Sequence, residues 1–426
     1  MSRSLHPPSF HTATRWQIFS WALFDFAHTA FYVLILTVGY PLYFKEIVVH
    51  SGNQGDFLWG SAFSISMLIV AIFSPVLGAV ADYGAGKKRF LGLLTAVCVL
   101  ATSSLFFVHT GIIFWGMALL IVSNIGFEAG LVFYDAFLPE ITTPRSYGRV
   151  SGYGFALGYV GSLVSLAVVF PLYAGGFGLD NLFNIRLSFI IAAAFFFVFS
   201  LPLFFFLPDK QRTGSLKLDF INIGLTRLRT TYQQFPRYRN IARFLISYFI
   251  YIDGVNTIIV FSSIFARESL NMDISEIVLY FAMVQTSAIF GSILFGVLAD
   301  HTTHKRTLSI TLLLWLSIVV IAFFIQNKLM FYGLGVLAGL ALGSSQSTSR
   351  GMMSIITPQE KKTEFFGFYS FFGKASAILG PVVFGFVSSY FNQRFAILSI
   401  GLFLLTGLIL LQRVEERPAE SALLNS

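Results

Sequence analysis

Charge is scarce in this 426-residue chain: Asp, Glu, Lys and Arg make up 11% of it, where a soluble domain carries about 25%. Cysteine is almost absent. The one thiol, Cys98, sits inside an apolar run, which excludes a disulfide framework and cysteine-built metal sites. No Gly-x-x-x-x-Gly-Lys-Ser/Thr loop, Gly-x-Ser-x-Gly elbow or His-Glu-x-x-His pair occurs. ATP-driven pumping, serine hydrolysis and zinc proteolysis therefore lack their signatures, and no cofactor or metal is expected. A formal charge of +8 would fit nucleic acid only if the bases shared a face, and they are scattered over many short loops.

What the chain has is apolar length. Hydrophobic residues are 56% of it, and they come in runs near the ~20 residues that cross a 30 Å hydrocarbon layer. The runs are continuously apolar, without the period-2 alternation of barrel strands, so helices are expected. Twelve spans are predicted, near 17–44, 57–81, 90–108, 112–138, 150–173, 185–207, 242–266, 276–299, 307–326, 330–354, 365–390 and 395–413. The first run is too long and too aromatic for a signal-peptide core, and is expected to remain as the first span.

The polar interval 208–241 divides these spans six plus six. It predicts an N-terminal six-helix bundle over 1–207, a linker over 208–241, and a C-terminal bundle with a short tail over 242–426. With both chain ends on one side, that side collects 21 of the 28 Lys and Arg residues, which places the termini and the linker in the cytoplasm by the positive-inside rule. The linker's seven bases from Lys210 to Arg239 face only Asp209 and Asp219, and are read as meeting anionic lipid headgroups.

The two halves repeat. Gly78-Ala-Val-Ala-Asp82 with Lys87-Lys88-Arg89 recurs as Gly296-Val-Leu-Ala-Asp300 with Lys305-Arg306, each between the second and third spans of its half. Gly152 and Gly158 match Gly367 and Gly373 in the fifth spans, and Asp25-x-x-His28-Thr29 echoes Asp253-x-x-Asn256-Thr257 in the first. Parallel repeats of this kind belong to transporters whose halves rock about a central site. Glycine lets two helices approach closely, so the Gly-x-x-x-Asp elements, with Asp82, Arg89, Asp300 and Arg306, are read as latches between the halves.

The sequence resembles the major facilitator superfamily, and within it the vacuole-effluxer family of yeast vacuolar amino-acid effluxers and their bacterial relatives. The likeness is carried by Trp21-Ala-Leu-Phe-Asp25-Phe-Ala-His-Thr-Ala-Phe31, Gly126-Phe-Glu128-Ala-Gly-Leu-Val-Phe-Tyr134-Asp-Ala-Phe-Leu-Pro-Glu140, Gly148-Arg-Val-Ser-Gly152, Tyr251-Ile-Asp253-Gly254, and Glu364-Phe-Phe-Gly-Phe-Tyr369 with Gly373-Lys374. It implies an all-α membrane protein of two pseudo-symmetric six-helix bundles, a monomer in lipid that moves a small solute, with amino acids as first candidates. His28 and Thr29 stand where the family pattern has Asn and Ser. A bacterial inner membrane is the expected location. A non-transporting receptor or a membrane-embedded enzyme is the rival reading.

Six acids and bases fall within the spans: Asp25, Glu128, Asp135, Asp253, Arg350 and Lys374. Each costs roughly 2.5–3.5 kcal/mol near the bilayer centre, so they must pair or face water. Asp25, His28 and Thr29 share one face of the first span, and Asp253, Asn256 and Thr257 repeat that face in the seventh. The expectation is that both acids meet one central cavity, binding protons or a cationic group, with His28 relaying; the competing reading is local packing. Asp135 and Arg350, equivalent under the 215-residue repeat, are expected to form a gate pair. Lys374 is placed to pair with Glu128 or with a substrate carboxylate, local bonds within each half being the alternative. His301-x-x-His304 is read as surface.

Overall fold

The computed structural model describes residues 13–50, 52–80, 86–176, 178–208, 238–376, 379–391 and 393–417, and the described residues form helices and short connections without a strand. The helix α1 begins at Arg15 and runs to Phe31, opened by a capping box in which Thr14 and Gln17 bond each other's backbone N–H. It continues through two wide π-helical stretches, Tyr32–Val38 and Phe44–Val48, with Pro41 between them. Proline has no N–H for the preceding turn, and the hydrogen-bond ladder there runs to more distant carbonyls, as in Gly39 N–H to Leu34 O.

The N-terminal half continues with α2 (Gly52–Val80), α3 (Lys87–Ser104), α4 (Ile113–Asp135), α5 (Tyr147–Tyr173) and α6 (Leu182–Phe206). The second half holds α7 (Arg239–Ser269), α8 (Ile274–His301), α9 (His304–Phe324) and α10 (Lys328–Ile356). It ends with α11 (Lys362–Ala375), α12 (Leu379–Tyr390) and α13 (Gln393–Gln412). Eleven helices among the described residues are long and apolar enough to cross a membrane. The twelfth expected span is the pair α11 and α12, each too short alone. Because α7 starts at Arg239, Arg239 lies on its first turn instead of in the linker; the expectations for 209–237 fall outside the described residues.

Two main cores of buried side chains form. One gathers Trp21, Phe24, Phe133, Phe189 and their neighbours from α1–α6; the other gathers Tyr251, Trp315, Phe331 and Leu404 from the second half. Large apolar residues such as Phe205 and Leu402 face outward instead, as suits helices whose solvent is hydrocarbon. The halves press together at the end of the bundle that holds Thr14 and Arg417, here called the terminal end. There a Cβ on Gly148 would lie 2.3 Å from the carbonyl oxygen of Gly296, and one on Gly296 would lie 2.4 Å from that of Gly148. Only glycine permits α5 and α8 to approach so closely.

Candidate functional site

Arg350, buried on α10, reaches across the interface into the N-terminal half. Its Nη1 donates to Asp25 Oδ2 at 3.3 Å and to Asp135 Oδ1 at 3.1 Å. Its Nη2 donates to Asp25 Oδ2 at 3.3 Å and to the Ser151 carbonyl at 2.8 Å, and Nε donates to Ser151 Oγ at 2.9 Å. Those five bonds match the five N–H donors of a guanidinium. The cation also lies 4.0 Å from the Phe155 ring centre and 4.9 Å from that of Trp21, close enough for cation–π attraction. The expected Asp135 and Arg350 thus come together, and Asp25 joins them.

Asp25 is the more heavily hydrogen-bonded of the two carboxylates. Besides Arg350 it accepts from the Tyr134 hydroxyl at 2.7 Å, and its Oδ1 is 2.8 Å from His28 Nε2. Trp21 stacks on Tyr134 at 4.8 Å and donates through Nε1 to its carbonyl, which fixes α1 against α4. A Cβ on Gly154 of α5 would fall 2.3 Å from Asp25 Oδ2, so the cluster occupies space that a glycine leaves open. His28 packs among Phe24, Phe127, Tyr134 and Phe196, and its Nδ1 is buried without a partner. A proton relay through His28 needs a second group on that nitrogen, and no described residue supplies one. Thr29 donates to the Phe26 and Gly158 carbonyls and so serves the α1–α5 contact.

A second ion pair crosses the halves: Lys374 Nζ on α11 lies 3.1 Å from Glu128 Oε2 on α4, with 13% and 11% of the two side chains exposed. Ser370, one turn back, also accepts from Lys374. Tyr32, on the wide turn of α1, is 52% exposed, and Glu128 and Tyr159 lie within electrostatic reach of it.

Asp253 joins neither group. Its carboxylate is fully buried inside the C-terminal half and accepts the Gly380 N–H with both oxygens at 2.9 Å. The reason is the break between α11 and α12. A helix start leaves backbone donors without intrahelical acceptors, Pro381 cannot donate, and an acid beside that start satisfies the orphan N–H and the helix dipole together. The expectation of two acids facing one cavity is corrected accordingly: Asp25 meets the opposite half, whereas Asp253 caps α12. Thr257 donates back to the Asp253 carbonyl, and Asn256, half-buried, has no hydrogen bond among the described residues.

At the terminal end Asp300 accepts from the backbone N–H of Gly148 at 2.8 Å, from that of Arg149 at 3.0 Å, and from Arg149 Nε at 3.0 Å. Asp300, expected to serve as a latch, thus bonds the opposite half; Asp82 lies outside the described residues. Arg89 and Arg306 are exposed and take part in no described ion pair, which corrects their place in the gate. The neighbouring bases bond within their own halves: Lys87 donates to Glu140 and the Ala136 carbonyl, Lys88 to the Leu207 carbonyl, and Lys305 to the Gln412 carbonyl. His304, read as surface, is buried with Nδ1 3.2 Å from Glu416 Oε1. Its partner is 112 residues away, and no local pattern signals it. Tyr134 and Ser151 stood only within the motifs that carry the family resemblance, with no role assigned, and Phe155 carried no signal.

No group of three or more potential metal ligands occurs among the described residues. A twelve-span helical fold with two cores and buried charges bridging them defines a transporter of the major facilitator class. Solved structures agree: the human organic anion transporter MFSD10 (TETRAN) superposes with a TM-score of 0.72 at 16% identity, covering 96% of this chain and 100% of that one. The proton:xylose symporter XylE gives 0.70 at 13% identity, covering 96% and 97%. The chain belongs to the family described as Vacuole effluxer Atg22 like, whose model matches residues 61–422. An uncharacterized MFS-type transporter, YxiO of Bacillus subtilis (strain 168), is 32% identical over 407 residues, 93% of this chain and 94% of the relative. Autophagy-related protein 22 of Yarrowia lipolytica is 24% identical, covering 85% of this chain and 77% of the relative.

Proposed function

We propose that the protein is a secondary active transporter that carries an amino acid or a related small zwitterion by alternating access, coupled to protons. One observation carries this reading: Arg350 of one half is held by two carboxylates of the other. Breaking one partner from a buried ion pair is costly, so a charged tie across the halves acts as a two-state lock. The solute class rests on the family resemblance and on the opposite charges of Glu128 and Lys374, which match the ammonium and carboxylate of a zwitterion. The predominance of bases at the terminal end supports a cytoplasmic location for both chain ends, and the bacterial relative supports a plasma membrane.

The purified protein in liposomes, given a mixture of labelled proteinogenic amino acids with and without an imposed pH gradient, tests it. Accumulation that appears with the gradient and collapses with a protonophore is expected. Uptake no greater than in empty liposomes would remove amino acids as substrates; uptake indifferent to the gradient would remove the proton.

A further inference from the structure

The buried group around Arg350 holds two carboxylates and one guanidinium. His28 does not supply a second positive charge at no cost: with Nε2–H donated to Asp25, a proton on Nδ1 would be a buried donor without an acceptor, and such donors cost about 1–3 kcal/mol. Without a proton on His28, the cluster sets two carboxylates against one guanidinium, and a proton on one carboxylate balances it.

The two acids are not equivalent hosts. Asp25 already accepts four bonds, from His28 Nε2, the Tyr134 hydroxyl and both Arg350 nitrogens. A carboxylate surrounded by donors has no oxygen free to carry its own hydrogen. Asp135 accepts one bond, from Arg350 Nη1 at Oδ1, and no described residue bonds Oδ2. Its side chain is 22% exposed, against 5% for Asp25, so water reaches it. The charged and titratable groups facing it are Arg350 from α10, Asp25 and His28 from α1, Tyr134 beside it on α4, Tyr248 from α7 and Tyr369 from α11. Arg350 and, if charged, His28 are the only cations in that set.

Resting on the proton-coupled reading above, we propose that Asp135 carries the coupling proton on Oδ2, while Asp25 stays ionised as the fixed anchor of Arg350. A proton from water would form the O–H bond at Oδ2 and leave Arg350 with one anionic partner instead of two. The tie between the halves would weaken in step with proton binding.

Infrared difference spectra of the reconstituted protein, recorded across a pH series without solute, read this directly through the carboxylic acid C=O stretch. The titrating band should vanish in Asp135→Asn and return at a shifted position in Asp135→Glu, whose recovery shows that the fold survives. A wild-type band that persists in Asp135→Asn, or no titrating band in the wild type, overturns the assignment. Gradient-driven uptake of the labelled amino-acid mixture by the wild type separates the two claims. If uptake follows the gradient while the band persists in Asp135→Asn, coupling stands and the proton sits elsewhere. If uptake ignores the gradient, the coupled reading fails, and the assignment of a coupling proton with it.

Discussion

Asp300 Oδ1 accepts the backbone N–H of Gly148 at 2.8 Å, so the last turn of α8 in one half caps the first turn of α5 in the other. A single side chain thereby satisfies orphan donors of a helix that is not its own. The bond can form only while the terminal end is closed. It adds to closure a free energy that disappears when the halves separate there.

Removing that cap should open the terminal end. Asp300→Ala would leave the Gly148 and Arg149 N–H groups without acceptors, at about 1–3 kcal/mol per buried group, and each 1.4 kcal/mol is about a tenfold change in population. A cysteine at Ser292, fully buried at the α5–α8 contact, reports the change in a background lacking Cys98. Its labelling by a small maleimide should quicken about tenfold or more in the Asp300→Ala protein. An unchanged rate would mean that Asp300 does not hold the halves together.

The Arg350 cluster should tolerate no side chain at Gly154. The methyl of Gly154→Ala would lie 2.3 Å from Asp25 Oδ2 and 2.7 Å from Arg350 Nη2, and overpacking of this kind costs about 1–3 kcal/mol. Thermal stability and uptake should both fall. Gly333→Ala on α10 is the control, since nothing lies within 4 Å of its added methyl; it should be neutral or slightly stabilising through helix propensity.

Fold and site were legible to different depths, for physical reasons. Run length and the doubled Gly-x-x-x-Asp elements gave twelve spans in two halves, because hydrocarbon thickness and close helix approach act on sequence locally. The cost of intramembrane charge singled out Glu128, Asp135, Arg350 and Lys374, and the structure pairs them across the interface. The same cost gave no sign that Asp253 would be met by a helix start. Asp25 and Asp253 share a motif, but α5 is continuous beside Asp25, while the corresponding span breaks before Gly380 and Pro381. That difference lies 127 residues from Asp253, outside anything the repeated motif encodes.

Topology has a direct check. Thr110 and His301 are exposed at opposite ends of the bundle. In intact bacterial cells expressing single-cysteine variants without Cys98, an impermeant maleimide should label a cysteine at position 110 and spare one at 301. The reverse pattern would place both chain ends outside.

Acid should release the chain's last described residues. Glu416 is half-buried, and the desolvation by itself would raise its pKa, but His304 and the backbone N–H groups of His304 and Lys305 hold it below its ordinary value of 4.5. A depressed carboxylate contributes stability that is present above the unfolded pKa and is lost as pH falls through the folded one. Glu416→Gln should therefore lower the thermal midpoint at neutral pH, and its difference from the wild type should shrink below pH 4.5. A difference that stays constant down to the most acid point would place the contribution in packing instead of charge.

The Glu128–Lys374 pair is a tie between halves or a recognition element, and reversing it separates these roles. Lys374→Met alone leaves Glu128 as an uncompensated charge in a site where 11% of its side chain is exposed, and stranding one partner of a buried pair costs about 3–5 kcal/mol. Stability should fall by part of that amount, since both side chains keep some exposure. The exchange Glu128→Lys with Lys374→Glu restores opposite charges across the same gap, so the thermal midpoint should recover most of the loss. Uptake should not recover, because a zwitterion oriented with its ammonium toward α4 and its carboxylate toward α11 would meet like charges at both ends, and like charges brought together cost several kcal/mol. Recovery of uptake together with stability would show that the pair only fastens α4 to α11, and the solute would then have to be sought beside Tyr32 and Tyr159.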